Sequence, residues 1–480
     1  MKKQAFNPFL PEYEYVPDGE PYVFDDRVYI FGSHDRFDGK SFCENDYVGW
    51  SASVNDLGNW QYEGVIYRRG QDPCDSEGIR PLYAPDVQKG VDGRYYLYYP
   101  LRGVGVAVCD RPAGEYSFYA HVSYPDGTRY GKRQGDVVFS DPATFIDDDG
   151  RLYLYTGYTP MDQPTLDIMR SNQTKYYGAY CVELDADMKT VKGEPKMIVP
   201  GEEVARGSGF EGHEFYEASS MRKIRGRYYF IYSSRLSHEL CWAVGDKPDG
   251  EFKYGGTIIS IGDVGLHGSK VAKNTLGNTH GSIVEINGEN YIFYHRQTNR
   301  TQFSRQACAE RIFITDDGRI EQVELTSCGL NGAPLLGEGE YRAAIACNLW
   351  GVGGAFFVES IENRENPYFT QDKEDGDENA RQYIADFTDG SVAGYKYFEF
   401  NGGRGRFSVR CRGEGEGNIG VFFSEPQTES EASVTISPSR EWKDFESDIV
   451  FPNGVYPIFL RFEGKGKFDV LSFEIKRCVD

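Results

Sequence analysis

Residues 219–234 read SSMRKIRGRYYFIYSS: a short mixed run, an Arg-Gly turn, then a second run dense in tyrosine and phenylalanine. Alternation with a period of two on both sides of a tight turn predicts a β-hairpin, since successive side chains of a strand point to opposite faces. The arrangement recurs at YVFDDRVYIFGS (22–33), VQKGVDGRYYLYYP (87–100), ATFIDDDGRLYLYTG (143–157) and SIVEINGENYIFYHR (282–296). Aligned on these turns, which all read as tight, Tyr29, Tyr96, Tyr153, Tyr229 and Tyr291 are equivalent, and 57 to 76 residues separate one from the next. Each repeat therefore has room for about four strands, the content of a propeller blade. No helical period of 3.6 competes with this pattern. The predicted fold is all-β: a five-bladed β-propeller over residues 1–328, with the repeats themselves between about 5 and 325.

Counting back from each of those tyrosines to the head of the strand that enters the hairpin reaches Asp18, Asp86, Asp141, Glu217 and His280, at 11, 10, 12, 12 and 11 residues. The first strand of every blade lines the central channel, so the five heads are expected to converge on one mouth. Any one of these five residues, taken singly, reads more readily as a cap on a loop. Five from five at one repeat position instead predicts a pocket of four carboxylates and an imidazole. Carboxylates so crowded cannot all ionise at neutral pH; repulsion and burial push one upward, and a better solvated one stays charged. A protonated and an ionised carboxyl on either side of one sugar are what glycosidic hydrolysis needs, one to protonate the leaving oxygen and one to activate water. Set across a channel, they would stand about 6.5–9.5 Å apart, the inverting arrangement. Asp18 and Glu217 head non-adjacent blades, and Asp141 heads the blade beside Glu217. The expectation is Asp18 as base, Glu217 as acid and Asp141 as the neighbour that tunes the acid.

Composition narrows the partners. Lys and Arg number 52 against 74 Asp and Glu, a net charge of -22 that repels phosphate backbones and anionic lipid heads, so neither nucleic acid nor a membrane surface is expected to bind. No run approaches 18 apolar residues, and MKKQAFNPFL lacks the apolar core of a signal peptide, so a cytoplasmic location is expected. The 10 cysteines show no C-x-x-C spacing and read as reduced thiols rather than a zinc site. No organic cofactor is called for. With 35 tyrosines and 31 phenylalanines the chain is rich in side chains that favour strands and, exposed in a cleft, offer flat surfaces to sugar rings.

Three segments together carry a resemblance. NPFLPEYEYVPDGEPYVF (7–24), SDPATFIDDDGRLYLY (140–155) and EASSMRKIRGRYYFIYSS (217–234) resemble the signature segments of the inverting glycoside hydrolases of family 43. The resemblance implies Asp18 as general base, Asp141 as the residue that modulates the acid and orients substrate, and Glu217 as general acid. One departure is visible, since the family pattern has Asp-Pro at the base and this chain has Asp18-Gly19. His280, in NTHGSIVE, resembles the family's central-channel histidine, which implies a calcium ion held there with waters; the alternative is an uncharged histidine hydrogen-bonded in the channel. Arg296, in YHRQ, matches an arginine near substrate in relatives, the alternative being a pair with a channel acid. His34 and Asp35, in FGSHD, and Asp86, in YAPDV, are further candidates for contact with sugar hydroxyls.

After GLNGAPLLGEGEY (329–341) the pattern changes to short alternating strands between glycine-rich turns, which predicts a jelly-roll-like β-sandwich over residues 340–480. QDKEDGDENA reads as a solvated loop. The block EWKDFESDIVFPNGVYPIFLRFEGKGKFDVLSFEI resembles the last strands of family 6 carbohydrate-binding modules, but Val470 stands where an aromatic often follows the final Asp, here Asp469. A packing or cleft-shaping role is favoured over independent binding of polysaccharide. The family resemblance implies an exo-acting enzyme releasing arabinofuranose or xylose from the ends or branches of short xylan- or arabinan-derived oligosaccharides. An endo-acting arabinanase and a non-catalytic sugar-binding propeller are the alternatives, and loop shape rather than the acid trio decides among them.

Overall fold

The computed structural model describes residues 3–478 apart from Thr428. The first blade consists of β1 (Glu20–Phe24), β2 (Arg27–Phe31), β3 (Tyr47–Ser53) and β4 (Asp56–Tyr67). The second holds β5 (Asp86–Lys89), β6 (Tyr95–Pro100), β7 (Val104–Cys109) and β8 (Ser117–His121), and the third β9 (Ala143–Ile146), β10 (Leu152–Gly157), β11 (Gly178–Leu184) and β12 (Val191–Pro200). The fourth holds β13 (Phe215–Ile224), β14 (Arg227–Ser234), β15 (Glu239–Gly245) and β16 (Lys253–Ser260). Each is an antiparallel meander in chain order. The fifth has three strands among the described residues, β17 (Ile283–Ile286), β18 (Glu289–Thr298) and β19 (Thr301–Ile312). Here the N-terminal segment covers the free edge of β19: the Phe9 amide donates to Ala307 O at 3.3 Å, and the Asn7 side chain exchanges two bonds with the Ala309 backbone. An edge left open would be a template for unwanted pairing.

Three hairpins turn as the sequence predicts, the first pairing Phe24 with Arg27 across Asp25-Asp26. Ile224 pairs with Arg227 and Ile286 with Glu289 across Arg225-Gly226 and Asn287-Gly288, all four turn residues at positive φ. In the second and third blades the expected tight turns are instead five-residue loops, Gly90–Arg94 and Asp147–Arg151, each closed by a backbone bond across its ends. Blades pack face to face through apolar clusters, one at each blade-to-blade junction, and Tyr96, Tyr153, Tyr229 and Tyr291 are buried in them. The repeat tyrosines are thus mortar between blades, worth most as buried area. Their spacing reports the fold and not the sugar site.

The C-terminal region forms one large sheet from β20 (Leu335–Leu336), β21 (Gly339–Arg342), β22 (Asn348–Trp350), β23 (Tyr368–Gln371), β24 (Gln382–Phe387), β25 (Val392–Gly413), β26 (Glu416–Phe422), β27 (Ala432–Ile436), β28 (Ser439–Lys465) and β29 (Phe468–Arg477). β25 and β28 pair along most of their 22 and 27 residues. Their ribbon folds over at Gly402, Gly403 and Gly454, all at positive φ, so that Tyr395 and Phe398 from one half and Phe407 from the other meet Phe473 in a single core. The region is docked on the propeller by buried polar contacts. Asn348 Nδ2 donates to Asp263 Oδ2 at 2.9 Å, Lys396 Nζ lies between Asp263 and Glu324, and Tyr15 Oη donates to Gln371 Oε1 at 2.6 Å. The described residues include one α-helix, α1 (Gln163–Ser171), and no helix long and apolar enough to cross a membrane. All ten cysteines are free.

Candidate active site

At one end of the channel lies a cavity of about 750 Å³ whose lining includes Asp18, Asp141, Glu217 and His280. Four of the five predicted strand heads therefore meet, and backbone geometry explains how. Asp18 and Asp141 each stand two residues before an innermost strand, β1 and β9, at φ of 57° and 47°. Left-handed backbone is costly for a residue with a Cβ and persists where the surroundings impose it. Glu217 lies within β13, where the ladder slips on both sides of it and Ala218 takes a φ of 68°. A bulge of this kind re-aims a side chain that regular alternation would direct elsewhere.

Asp86 does not line this cavity. It is the first residue of β5 rather than two before it, and so sits deeper, fully buried, accepting bonds from Tyr22 Oη, Thr144 N and Thr144 Oγ1. Burial and the nearby Glu20 push its carboxyl up to about 6. The position equivalent to Asp18 in the second blade is Ala84, which does face the cavity. Three more expectations are corrected. His34 turns its Nδ1 to Asp46 O at 2.8 Å and its Nε2 toward Glu14, away from the cavity. Asp35 is fully buried and spends both oxygens on Arg305 and the Cys43 amide. Arg296 bonds Gln306 and the carbonyls of Ala344 and Ala346, with its guanidinium 3.9 Å from the Phe369 ring centre. It belongs to the seam with the C-terminal region, where burial lowers it to about 10.

The arginine at the site is Arg305. Its Nη1 donates to Asp18 Oδ1 at 2.9 Å, while Nε and Nη2 grip Asp35 at 2.8 and 2.9 Å. Strand parity explains the exchange: Arg296 pairs with Gln306, and Gln297 with Arg305, so neighbours along the hairpin face opposite ways. His295, on the Arg305 side, accepts the Asp18 amide at Nδ1 (3.2 Å), which leaves its Nε2 proton for Asn278 O at 2.8 Å. Burial and Arg305 hold His295 neutral, at about 3. The available signal was an arginine in the middle of the last strand of the repeat, since such a charge, once buried there, demands acidic partners.

Electrostatics separate the acids. Burial alone would raise Asp18, but Arg305, with His280, draws it down to about 2. Glu217 is driven up to about 8 by burial and by Asp141, then Asp18, against the opposing pull of His280. Its carboxyl makes no hydrogen bond among the described residues. Asp141 is raised too, by burial and Asp18, although Oδ2 accepts the Ala218 amide at 3.0 Å. At neutral pH the cavity thus presents a carboxylate at Asp18 and a carboxylic acid at Glu217, one ready to take a proton and one to give it. His280 lies 3.9 Å from Asp141 and 3.8 Å from Glu20 Oε1; burial opposes its charge, but Glu20, Asp141 and Asp18 raise it to about 9. Tyr158 and Tyr216, ring centres 5.6 Å apart, form part of the aromatic wall.

The family model of glycosyl hydrolases family 43 matches residues 7–320. The chain belongs to family 43. This family 43 glycoside hydrolase is 49% identical over 494 residues, spanning 100% of both chains, to the xylosidase/arabinosidase of Thermoclostridium stercorarium. It is 28% identical to the crystal structure of a β-xylosidase/α-arabinofuranosidase from a compost microbial metagenome, in complex with xylotriose in a calcium-free form. That match has a TM-score of 0.51 and covers 65% of this chain and 96% of the other. A Bacillus subtilis arabinoxylan arabinofuranohydrolase structure, 21% identical with a TM-score of 0.51, covers 98% of this chain and 97% of its own, a likeness of fold that extends through the C-terminal sheet.

In this family 43 enzyme Glu20, Arg222 and Arg305 escaped the sequence reading. Glu20 Oε2 accepts from Arg222 Nη2 at 2.7 Å and from Ser220 Oγ at 3.0 Å, while Glu20 Oε1 is buried without a hydrogen-bond partner beside His280 Nε2. One imidazole nitrogen and one unpartnered carboxylate oxygen fit a largely hydrated divalent cation; they fall short of the six to eight oxygens of an all-protein calcium cage. The group that holds Asp18 low is testable. In Arg305→Gln the Asp18 carboxyl should rise and ionise only at higher pH, and the acidic limb of kcat/KM should move up by about 1–3 units in a pH–rate profile. Chemical denaturation should also read a loss of about 3–5 kcal/mol, since Asp18 and Asp35 are left buried and unpaired.

Proposed function

We propose that this hydrolase is an exo-acting pentosidase that releases xylose, arabinofuranose or both from short oligosaccharides, in one inverting displacement. The opposed protonation of Glu217 and Asp18 within a single cavity is the observation that supports it most strongly. Glu217 protonates the leaving oxygen, Asp18 takes a proton from the attacking water, and Asp141 keeps Glu217 protonated by like charge while accepting a hydroxyl of the bound sugar. Arg305 fixes the Asp18 carboxylate, and His295 and the Ala218 amide hold the backbone at Asp18 and the Asp141 carboxylate in place. The names carried by the Thermoclostridium and compost relatives favour pentoses. The domain limits adopted are residues 1–328 for catalysis and 340–480 for the C-terminal unit; its carbohydrate-binding-module-like ancestry belongs to this reading and independent sugar binding does not. Free thiols throughout accord with a reducing compartment.

His280 Nε2 and Glu20 Oε1 are the atoms that would hold a calcium ion with waters, and it would supply a fixed positive charge at the channel end of the cavity. In its absence the protonated His280 already supplies one. The deciding experiment is hydrolysis of nitrophenyl xyloside, arabinofuranoside and galactoside side by side, with and without chelator, followed by NMR of the anomer first released. Turnover is expected on one or both pentosides and not on the galactoside, with inverted product and a loss of only a few-fold on chelation. Retention of configuration, or no turnover on either pentoside, defeats the reading.

A further inference from the structure

Nineteen residues line the active-site cavity, and one acid among them comes from outside the propeller: Glu359, on the segment between β22 and β23. We infer that Glu359 is a specificity-determining residue that reads the hydroxyls of the leaving-group sugar, so that the C-terminal unit completes the substrate pocket. This rests on the glycosidase reading above.

The segment is pinned to the propeller by its backbone. Ala355 N donates to Ala272 O at 2.9 Å, Leu276 N to Phe356 O at 3.0 Å and Val358 N to Leu276 O at 2.8 Å. These bonds run alongside the stretch leading to Asn278 and His280, two other cavity residues, and deliver Glu359 beside them. Its carboxylate has no hydrogen bond or ion pair among the described residues and is exposed. Asp162, another acid of the wall, is already committed as the N-cap of α1, and Asp18 to Arg305. Depth assigns the role. Asp18 and His280 are each 5% exposed, so the residue cleaved off sits at the floor, and the remainder of the chain must rise past the exposed wall where Glu359 stands. An ionised carboxylate only accepts hydrogen bonds, and a sugar leaving group offers hydroxyl donors where a nitrophenyl group offers none.

The prediction is therefore a split between substrates. In Glu359→Ala, KM for the pentose trisaccharide that the wild type cleaves, xylotriose or arabinotriose, should rise about tenfold, with kcat within about twofold. On the matching nitrophenyl glycoside kcat/KM should stay within about twofold. Glu359→Gln, which keeps one acceptor, should fall between. The side chain is exposed and unpaired, so the melting temperature should not move. An unchanged trisaccharide KM, or an equal loss on both substrates, overturns the assignment while wild-type turnover leaves the glycosidase reading standing. A wild type inert on both substrates overturns both.

Discussion

Glu217→Ala lowers turnover of unactivated pentosides by about 10²–10⁴-fold, the contribution typical of a positioned proton donor, and costs far less on nitrophenyl glycosides. The contrast follows from the leaving groups. A sugar alkoxide is too basic to depart unprotonated, whereas a nitrophenolate leaves with little help. The same proton sets the alkaline limb of the wild-type pH profile. Glu217 donates only while protonated, so activity should fall as pH rises through about 8, the value to which burial and Asp141 raise it. In Glu217→Ala, measured on the nitrophenyl substrate, that limb should vanish. Steady-state kinetics on both substrates across pH check this. Undiminished turnover of the natural glycoside in the variant would mean that Glu217 is not the proton donor.

Asp18→Asn abolishes turnover to a comparable or greater degree, about 10³-fold or more, and an activated leaving group does not rescue it. Water must be deprotonated whichever group departs, and an amide cannot accept its proton. The substitution is nearly isosteric, and Arg305 keeps its two bonds to Asp35, so the fold should survive. Kinetics on nitrophenyl and oligosaccharide substrates, with a melting curve beside them, separate this outcome from unfolding. The two variants thus have opposite signatures on the activated substrate. Rescue of Asp18→Asn without rescue of Glu217→Ala would mean that acid and base have been assigned the wrong way round.

How much of this was legible beforehand varies from residue to residue. The hairpin repeat disclosed the propeller because turn chemistry and period-two alternation are local, and Arg225-Gly226 and Asn287-Gly288 turn as their composition requires. Counting back along the repeat reached four cavity residues correctly. It failed at Asp86 because an offset of 10 in place of 11 or 12 moves a side chain from the mouth into the channel wall. It failed at Arg296 because one residue of strand parity separates that side chain from the face of His295 and Arg305. His34 and Asp35 were chosen for chemistry alone, and the fold uses one on a loop carbonyl and the other to hold Arg305.

By itself the sequence determined the all-β class, the five-fold repeat, the change of pattern after residue 329 and the set of acids available to the mouth. Those properties live in short windows, where a backbone conformation or a burial face repeats along the chain. Tertiary structure alone decided that burial and Asp141 raise Glu217, that Arg305 and not Arg296 holds Asp18 down, and that Glu359 reaches the cavity wall from the C-terminal region. A pKa depends on burial and on charges brought close from distant segments, and Asp18, Asp35 and Arg305 meet across some 270 positions of chain. Nothing local in the sequence encodes that distance.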